Sequence, residues 1–143
     1  MPRFVLLYHD CPPHYPRPSH WDFMLEADDS LRTWALKSLP GSWRAAQLLT
    51  AQKHPQCPSA AESNEVPAEE LGRHRREYLD FEGEISDDRG HVIRIAAGTF
   101  SSDLETPDVW RVTLGSDVIE GQIELQRAEE SESCWTLRCL PEN

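Results

Sequence analysis

The sequence predicts an all-β fold with minor helix, a compact antiparallel β-barrel of about eight strands. Two observations carry this expectation. Short segments alternate apolar and polar residues with the period of two that sends successive side chains to opposite faces of a strand. Turn-forming residues separate those segments, among them Asp28-Asp29-Ser30, Asp87-Asp88-Arg89-Gly90 and Gly115-Ser116-Asp117, at hairpin spacing rather than the spacing of helix-linked parallel strands.

Taken in order, Arg3–Tyr8 is β-rich and reads as a buried strand. Cys11–Ser19 holds four of the eleven prolines, which makes it an ordered loop and not a helix. In His20–Glu26, Trp21, Phe23 and Leu25 share one face and His20, Asp22, Met24 and Glu26 the other. A turn leads into a strand over 31–36. Residues 40–72 are the least regular. Trp43–Ala51 suits a short helix, 53–67 a mobile surface loop, and Ala68–Arg73 one helical turn. Further strands are expected at 78–85, 91–97, 109–114, 118–127 and 134–140. Glu129–Glu132 reads as a solvated hairpin tip.

The length of 143 residues suits one domain over 1–143 with a core of its own. Fourteen Lys and Arg against 25 Asp and Glu give −11, which opposes non-specific duplex binding but not contact with a single nucleic-acid end. The apolar run Phe4–Tyr8 is too short for a signal sequence or a membrane span. The four cysteines contain no Cys-x-x-Cys pair, so neither a zinc ribbon nor a disulfide scaffold is expected, and a reducing cytoplasm is the default. No phosphate-cradling glycine loop or serine-hydrolase elbow is present.

Two clusters carry chemistry. His20 and Asp22 stand two apart on one strand face, ~6.6 Å along the chain, close enough to grip one ion. His9, just past the first strand, would bring a third ligand. Two His and one Asp form a mixed N/O set suited to Mn, Fe or Zn and poor for Ca. The plainer account makes His9 and His20 ordinary hydrogen-bonding histidines. The second cluster, Gly72-Arg73-His74-Arg75-Arg76-Glu77-Tyr78, is the one concentration of cations. It could receive a phosphate, or be a solvated, ion-paired segment.

Phe4–Asp10, His20–Glu26, Leu31–Leu36, His74–Gly83, Gly90–Arg94, Gly98–Phe100, Gly121–Arg127 and Trp135–Leu137 together resemble the 3′-phosphoesterase domain of bacterial DNA ligase D, in order and spacing. The resemblance implies a β-barrel holding one Mn²⁺ that trims DNA 3′ ends in repair. The family removes a terminal ribonucleoside and then the 3′-phosphate, leaving a 3′-OH for a ligase or polymerase partner. It implies His9, His20 and Asp22 as metal ligands and His74 and Tyr78 as catalytic residues. The family's arginine two residues after the metal-binding Asp is Met24 here. Its role in binding phosphate would pass to Arg32, Lys37, Arg94 or an arginine of the 73–76 cluster. The alternative is a catalytically impaired metal- or end-binding module of the same fold.

Overall fold

The computed structural model describes residues 1–141. Strands β1 (Arg3–Asp10), β2 (His20–Ala27) and β3 (Ser30–Leu36) form an antiparallel meander, followed by helix α1 (Arg44–Lys53). Then come β4 (Glu65–Glu70), β5 (His74–Arg75), a 3-10 turn over Arg76–Leu79 and β6 (Gly83–Glu84). Strands β7 (His91–Glu105), β8 (Val109–Gly115), β9 (Gly121–Arg127) and β10 (Cys134–Cys139) complete the chain. The hydrogen-bonded order is β1-β2-β3-β4-β10-β9-β8-β7, and β7 pairs back onto β1. Eight antiparallel strands thus close a barrel, as the alternation predicts.

Alternation sorts the side chains. Phe4, Leu6 and Tyr8 of β1, Trp21, Phe23 and Leu25 of β2, and Trp34 and Leu36 of β3 point into the interior cluster. α1 adds Ala46 to it, with Trp43 just before the helix packing on Phe23 at 5.6 Å between ring centroids. The Trp21 indole N–H donates to Thr50 Oγ1 (3.1 Å), and that hydroxyl donates to the Ala46 carbonyl. The opposite faces of β1, β2 and β3 carry a smaller apolar cluster of Val5, Leu7, Met24 and Leu31, closed by Leu79 and Val92. Strands with two apolar faces read as continuous hydrophobic runs, which accounts for Phe4–Tyr8.

Two elements differ from expectation. Residues 78–85 are not a barrel strand: the segment makes a 3-10 turn and then passes Gly83, with φ +134°. Its alternation is real but serves a cover. Tyr78, Leu79, Phe81 and Ile85 pack on the outer cluster. The eighth barrel strand is β4, inside the stretch assigned to loop and helical turn. Pro67 and three glutamates obscure it, because only Val66 and Ala68 alternate inward. β3 pairs only with Glu69 and Glu70, so the proline stands where the strand has β10 alone beside it and needs no second donor. Val118–Glu120 is a turn held by Ser116 Oγ, which accepts from the Val118 and Ile119 amides. The rest of 53–67 is pinned by Ala61 N–H to Leu39 O (2.9 Å) and Gln47 Nε2 to Pro58 O (2.8 Å).

A bulge refines the closing pair. Leu6 faces Ala96 but Leu7 faces Arg94, so Ile95 is an extra residue. Ile95 and Ala96 both join the interior cluster, as two successive residues opposite one partner allow.

Glu124 fastens the far wall. It lies directly opposite Arg111 on β8 and Arg138 on β10, accepting from them at 2.8 and 3.0 Å while nearly buried. The Arg111 hydrogen bond, opposed by burial and helped by Arg138, holds its carboxyl below the usual range. A depressed folded pKa stabilises above the unfolded value of about 4.3 and loses that effect as pH falls through the folded one. Glu124→Gln is therefore expected to cost about 1–2 kcal/mol at pH 7. That cost should shrink below about pH 4, which urea unfolding at the two pH values would measure.

Candidate active site

The site lies on the outside of the barrel. β1 and β2 pair so that His9 faces His20 directly across the ladder. His20, Asp22 and Met24 share one face of β2, as a period of two requires. The loop and turns over 71–90 close over this face and leave a cavity of about 280 Å³ lined by His9, His20, Asp22, Met24, His74 and Tyr78, among others.

Both imidazoles are buried, at 6% and 3% exposure, and each is fixed by a backbone carbonyl. His9 Nε2 lies 2.8 Å from the Arg89 carbonyl, and His20 Nδ1 lies 2.9 Å from that of Pro18. A carbonyl only accepts, so each of those nitrogens carries the proton. In the neutral rings His9 Nδ1 and His20 Nε2 therefore keep free lone pairs, and both are turned to Asp22. His9 Nδ1 is 3.8 Å from Asp22 Oδ2, and His20 Nε2 is 3.0 Å from Asp22 Oδ1. His20 Nε2 and Asp22 Oδ1 are buried and, despite their separation, make no aligned hydrogen bond. Two buried polar atoms side by side without partners cost stability. Two ligands of one ion at about 2.1 Å, held at right angles, stand ~3.0 Å apart, so the spacing fits a metal. Imidazoles anchored through their second nitrogen are the usual form of metal-binding histidines. Burial pushes the His9 pKa down. At His20 burial acts the same way, but Asp22 outweighs it and the pKa is raised.

His9, Cys11 and His20 also offer atoms within 4.8 Å of one another, an arrangement able to hold a metal ion. Cys11 sits on the other side of the His20 ring, its Sγ 3.9 Å from Nδ1, the nitrogen committed to Pro18. Burial pushes its thiol up to about 12.

The cation cluster reaches the cavity through His74 and Tyr78, whose rings meet edge to face at 5.6 Å. His74 is placed by pairing of β5 with Leu31 on β3. Its Nδ1 donates to the Gly72 carbonyl at 2.9 Å, leaving Nε2 free. Arg17, Arg73, Arg75 and Arg89 also line the cavity, against one carboxylate, Asp22.

The chain matches the DNA Ligase D 3′-phosphoesterase domain over residues 12–136. It belongs to that family. No curated protein matches it. Within this phosphoesterase-family chain, His20, Asp22, His74 and Tyr78 fall inside the matched span and His9 three residues before it, so the placing of His9 rests on geometry.

The three other cations named from sequence do not line the cavity. Arg32 shares the inward face of β3 with Trp34, pairs with Glu70 at 2.9 Å and lies over Trp34, Trp110 and Trp135 at 4.9–5.4 Å. The same alternation that sends Trp34 inward takes Arg32 with it. Arg94 reaches the cover, donating to the Leu79 carbonyl at 3.0 Å. Lys37 lies beyond β3 in a separate recess behind His20. Two cavity arginines escaped sequence reasoning, Arg17 and Arg89. They sit in a proline loop and a hairpin turn, where no periodicity reports direction.

The Arg89 carbonyl reaches His9 because Gly90 follows it. Gly90 has φ +92°, and a Cβ there would stand 2.1 Å from the Asp10 carbonyl oxygen. Gly90→Ala is expected to cost more than ~1 kcal/mol, since alanine is strained at positive φ. It should also free the His9 ring, which long-range ¹H–¹⁵N spectra would detect as loss of the single Nε2–H tautomer.

Proposed function

We propose that this chain is a Mn²⁺-dependent phosphoesterase that trims DNA 3′ ends, removing a terminal ribonucleoside and then the 3′-phosphate to leave a 3′-OH. One observation carries the reading. Two tautomer-fixed imidazoles and an unpartnered carboxylate oxygen converge on the cavity that four arginines line. His9 Nδ1, His20 Nε2 and Asp22 would hold the ion. Asp22 is preferred to Cys11 because it lines the cavity, whereas Cys11 stands beside the His20 nitrogen committed to Pro18. The mixed N/O set suits Mn²⁺, Fe²⁺ or Zn²⁺. The bound ion supplies Lewis acidity toward a phosphate oxygen.

The chain's own groups do the rest. His74, held through Nδ1 by Gly72, turns Nε2 to the cavity, and with both ring nitrogens protonated it would deliver the Nε2 proton to the leaving oxygen. The Tyr78 hydroxyl donates to a non-bridging oxygen. Arg75 serves as the fork on the phosphate. Its nearest carboxylate, Glu77, is 3.9 Å away and both are about three-quarters exposed, whereas Arg17 is held by Glu69 and Arg73 by Ala27 and Ser30. A ligase consuming the 3′-OH is the natural partner. The four free cysteines fit a reducing cytoplasm, and among the described residues no helix is long and apolar enough to cross a membrane.

Release of phosphate from a 3′-phosphate oligonucleotide is expected with Mn²⁺, to stop with chelator and to return on adding Mn²⁺. His20→Ala should lower Mn²⁺ affinity by more than about 100-fold, since even changes beyond the direct ligands cost 10–100-fold. A spectroscopic Mn²⁺ titration would report this independently of turnover.

Met24 favours a second reading, an end-binding module without turnover. It is 1% exposed and lines the cavity on the Asp22 side, where the family carries an arginine. Met24→Arg is expected to raise kcat/KM on the 3′-phosphate end by about ten-fold or more, as donors aimed at developing charge do. No turnover in either protein would leave the binding module as the better account.

A further inference from the structure

Continuous with the cavity is a second recess of about 220 Å³, and Tyr78, Arg75 and Arg89 line both. Its own wall includes Phe81, Glu77 and Glu84. Tyr78 and Phe81 meet edge to face with centroids 5.6 Å apart. Both are half-buried, so their rings are placed by packing yet partly accessible. The Arg89 guanidinium is held in one plane by Ser86, through Nε to the carbonyl (2.8 Å) and Nη2 to the hydroxyl (3.1 Å).

The two compartments differ in charge. The cavity has four arginines against one carboxylate. The recess sets two arginines against two glutamates. An anion is favoured in the first, and a flat, uncharged group in the second. Aromatic faces and guanidinium planes are the surfaces on which nucleobases stack when no duplex holds them. The larger recess behind His20 offers no accessible aromatic face, since Trp135 and His20 are 4% and 3% exposed.

We infer that the Tyr78–Phe81 recess seats the base of the 3′-terminal nucleotide whose phosphate occupies the cavity, an inference that rests on reading the cavity as the phosphate site. A phosphate held between Arg75 and the His9–His20–Asp22 group then has its attached nucleoside next to the recess. Terminal residues with a base are preferred over those without one, whatever the base, because stacking reads a π-face and not a hydrogen-bonding edge.

Calorimetric titration of the Mn²⁺-supplemented protein with adenosine 5′-monophosphate and with ribose 5-phosphate tests this. The nucleotide should bind at least about five-fold more tightly, as stacking of one base permits. Phe81→Leu, which keeps apolar bulk and removes the ring, should bring it to the ribose 5-phosphate level and leave ribose 5-phosphate unchanged. Equal binding of the two by the unaltered protein overturns the inference, and so does equal weakening of both by Phe81→Leu. The unaltered protein's comparison decides the matter even where the variant does not fold. Preferential nucleotide binding without release of a 3′-phosphate would keep the recess and remove the enzyme. Turnover with equal binding would do the reverse.

Discussion

The barrel closes through β1, and β1 has no free face. It pairs with β2 on one edge and with β7 on the other. Its even residues must fill the interior, and Val5 and Leu7 on the outer side must be covered as well. That second demand requires a segment outside the sheet, and 71–90 meets it with Leu79, Phe81 and Ile85. The cover brings chemistry with it. Its first part carries His74 and Tyr78, and its final turn presents the Arg89 carbonyl to His9. A site on the outer wall of a barrel, walled by a chain segment that is not part of the barrel, follows from burying one strand twice.

Much of this was legible where periodicity operates. Residues two apart on β2 share a face, so His20 and Asp22 could be placed together from sequence, and the β1–β2 hairpin sets His9 opposite His20. Legibility failed where the alternation was too short or misleading. β4 shows only Val66 and Ala68 around a proline. The cover alternates like a strand over Leu79, Phe81 and Ile85, yet it begins as a 3-10 turn and pairs with β7 only at Gly83–Glu84. Arg32, named from sequence for phosphate, does not line the cavity. Three tryptophans and Glu70 make an interior place for it, the aromatic faces attracting the guanidinium and the carboxylate matching its charge.

The chain's charge of −11 conceals a local reversal. Several cations away from the cavity act as fasteners. Arg3 pairs with Asp80, Arg76 with Glu26, and Arg94 with the Leu79 carbonyl, tying the cover to strands β1, β2 and β7. The acidic excess elsewhere is spread over exposed turns and strand positions such as Glu65, Asp103 and Glu105, where solvent and salt screen it. Within the cavity arginine outnumbers carboxylate, so the field at one small opening opposes that of the whole surface. An anionic group is repelled along most of the molecule and attracted at one place.

The small apolar patch beneath the cover has a consequence for motion. The barrel is knit by ladders on every side, whereas the cover meets it through one modest cluster, two two-residue strands and a few ion pairs. Segments with few buried contacts open locally at a free energy below that of global unfolding. The wall bearing His74, Tyr78 and Arg89 thus belongs to a less stable cooperative unit than the floor bearing His9, His20 and Asp22. Under the proposed function, a strand end would enter, and the cut product leave, by lifting that wall while the floor keeps its shape.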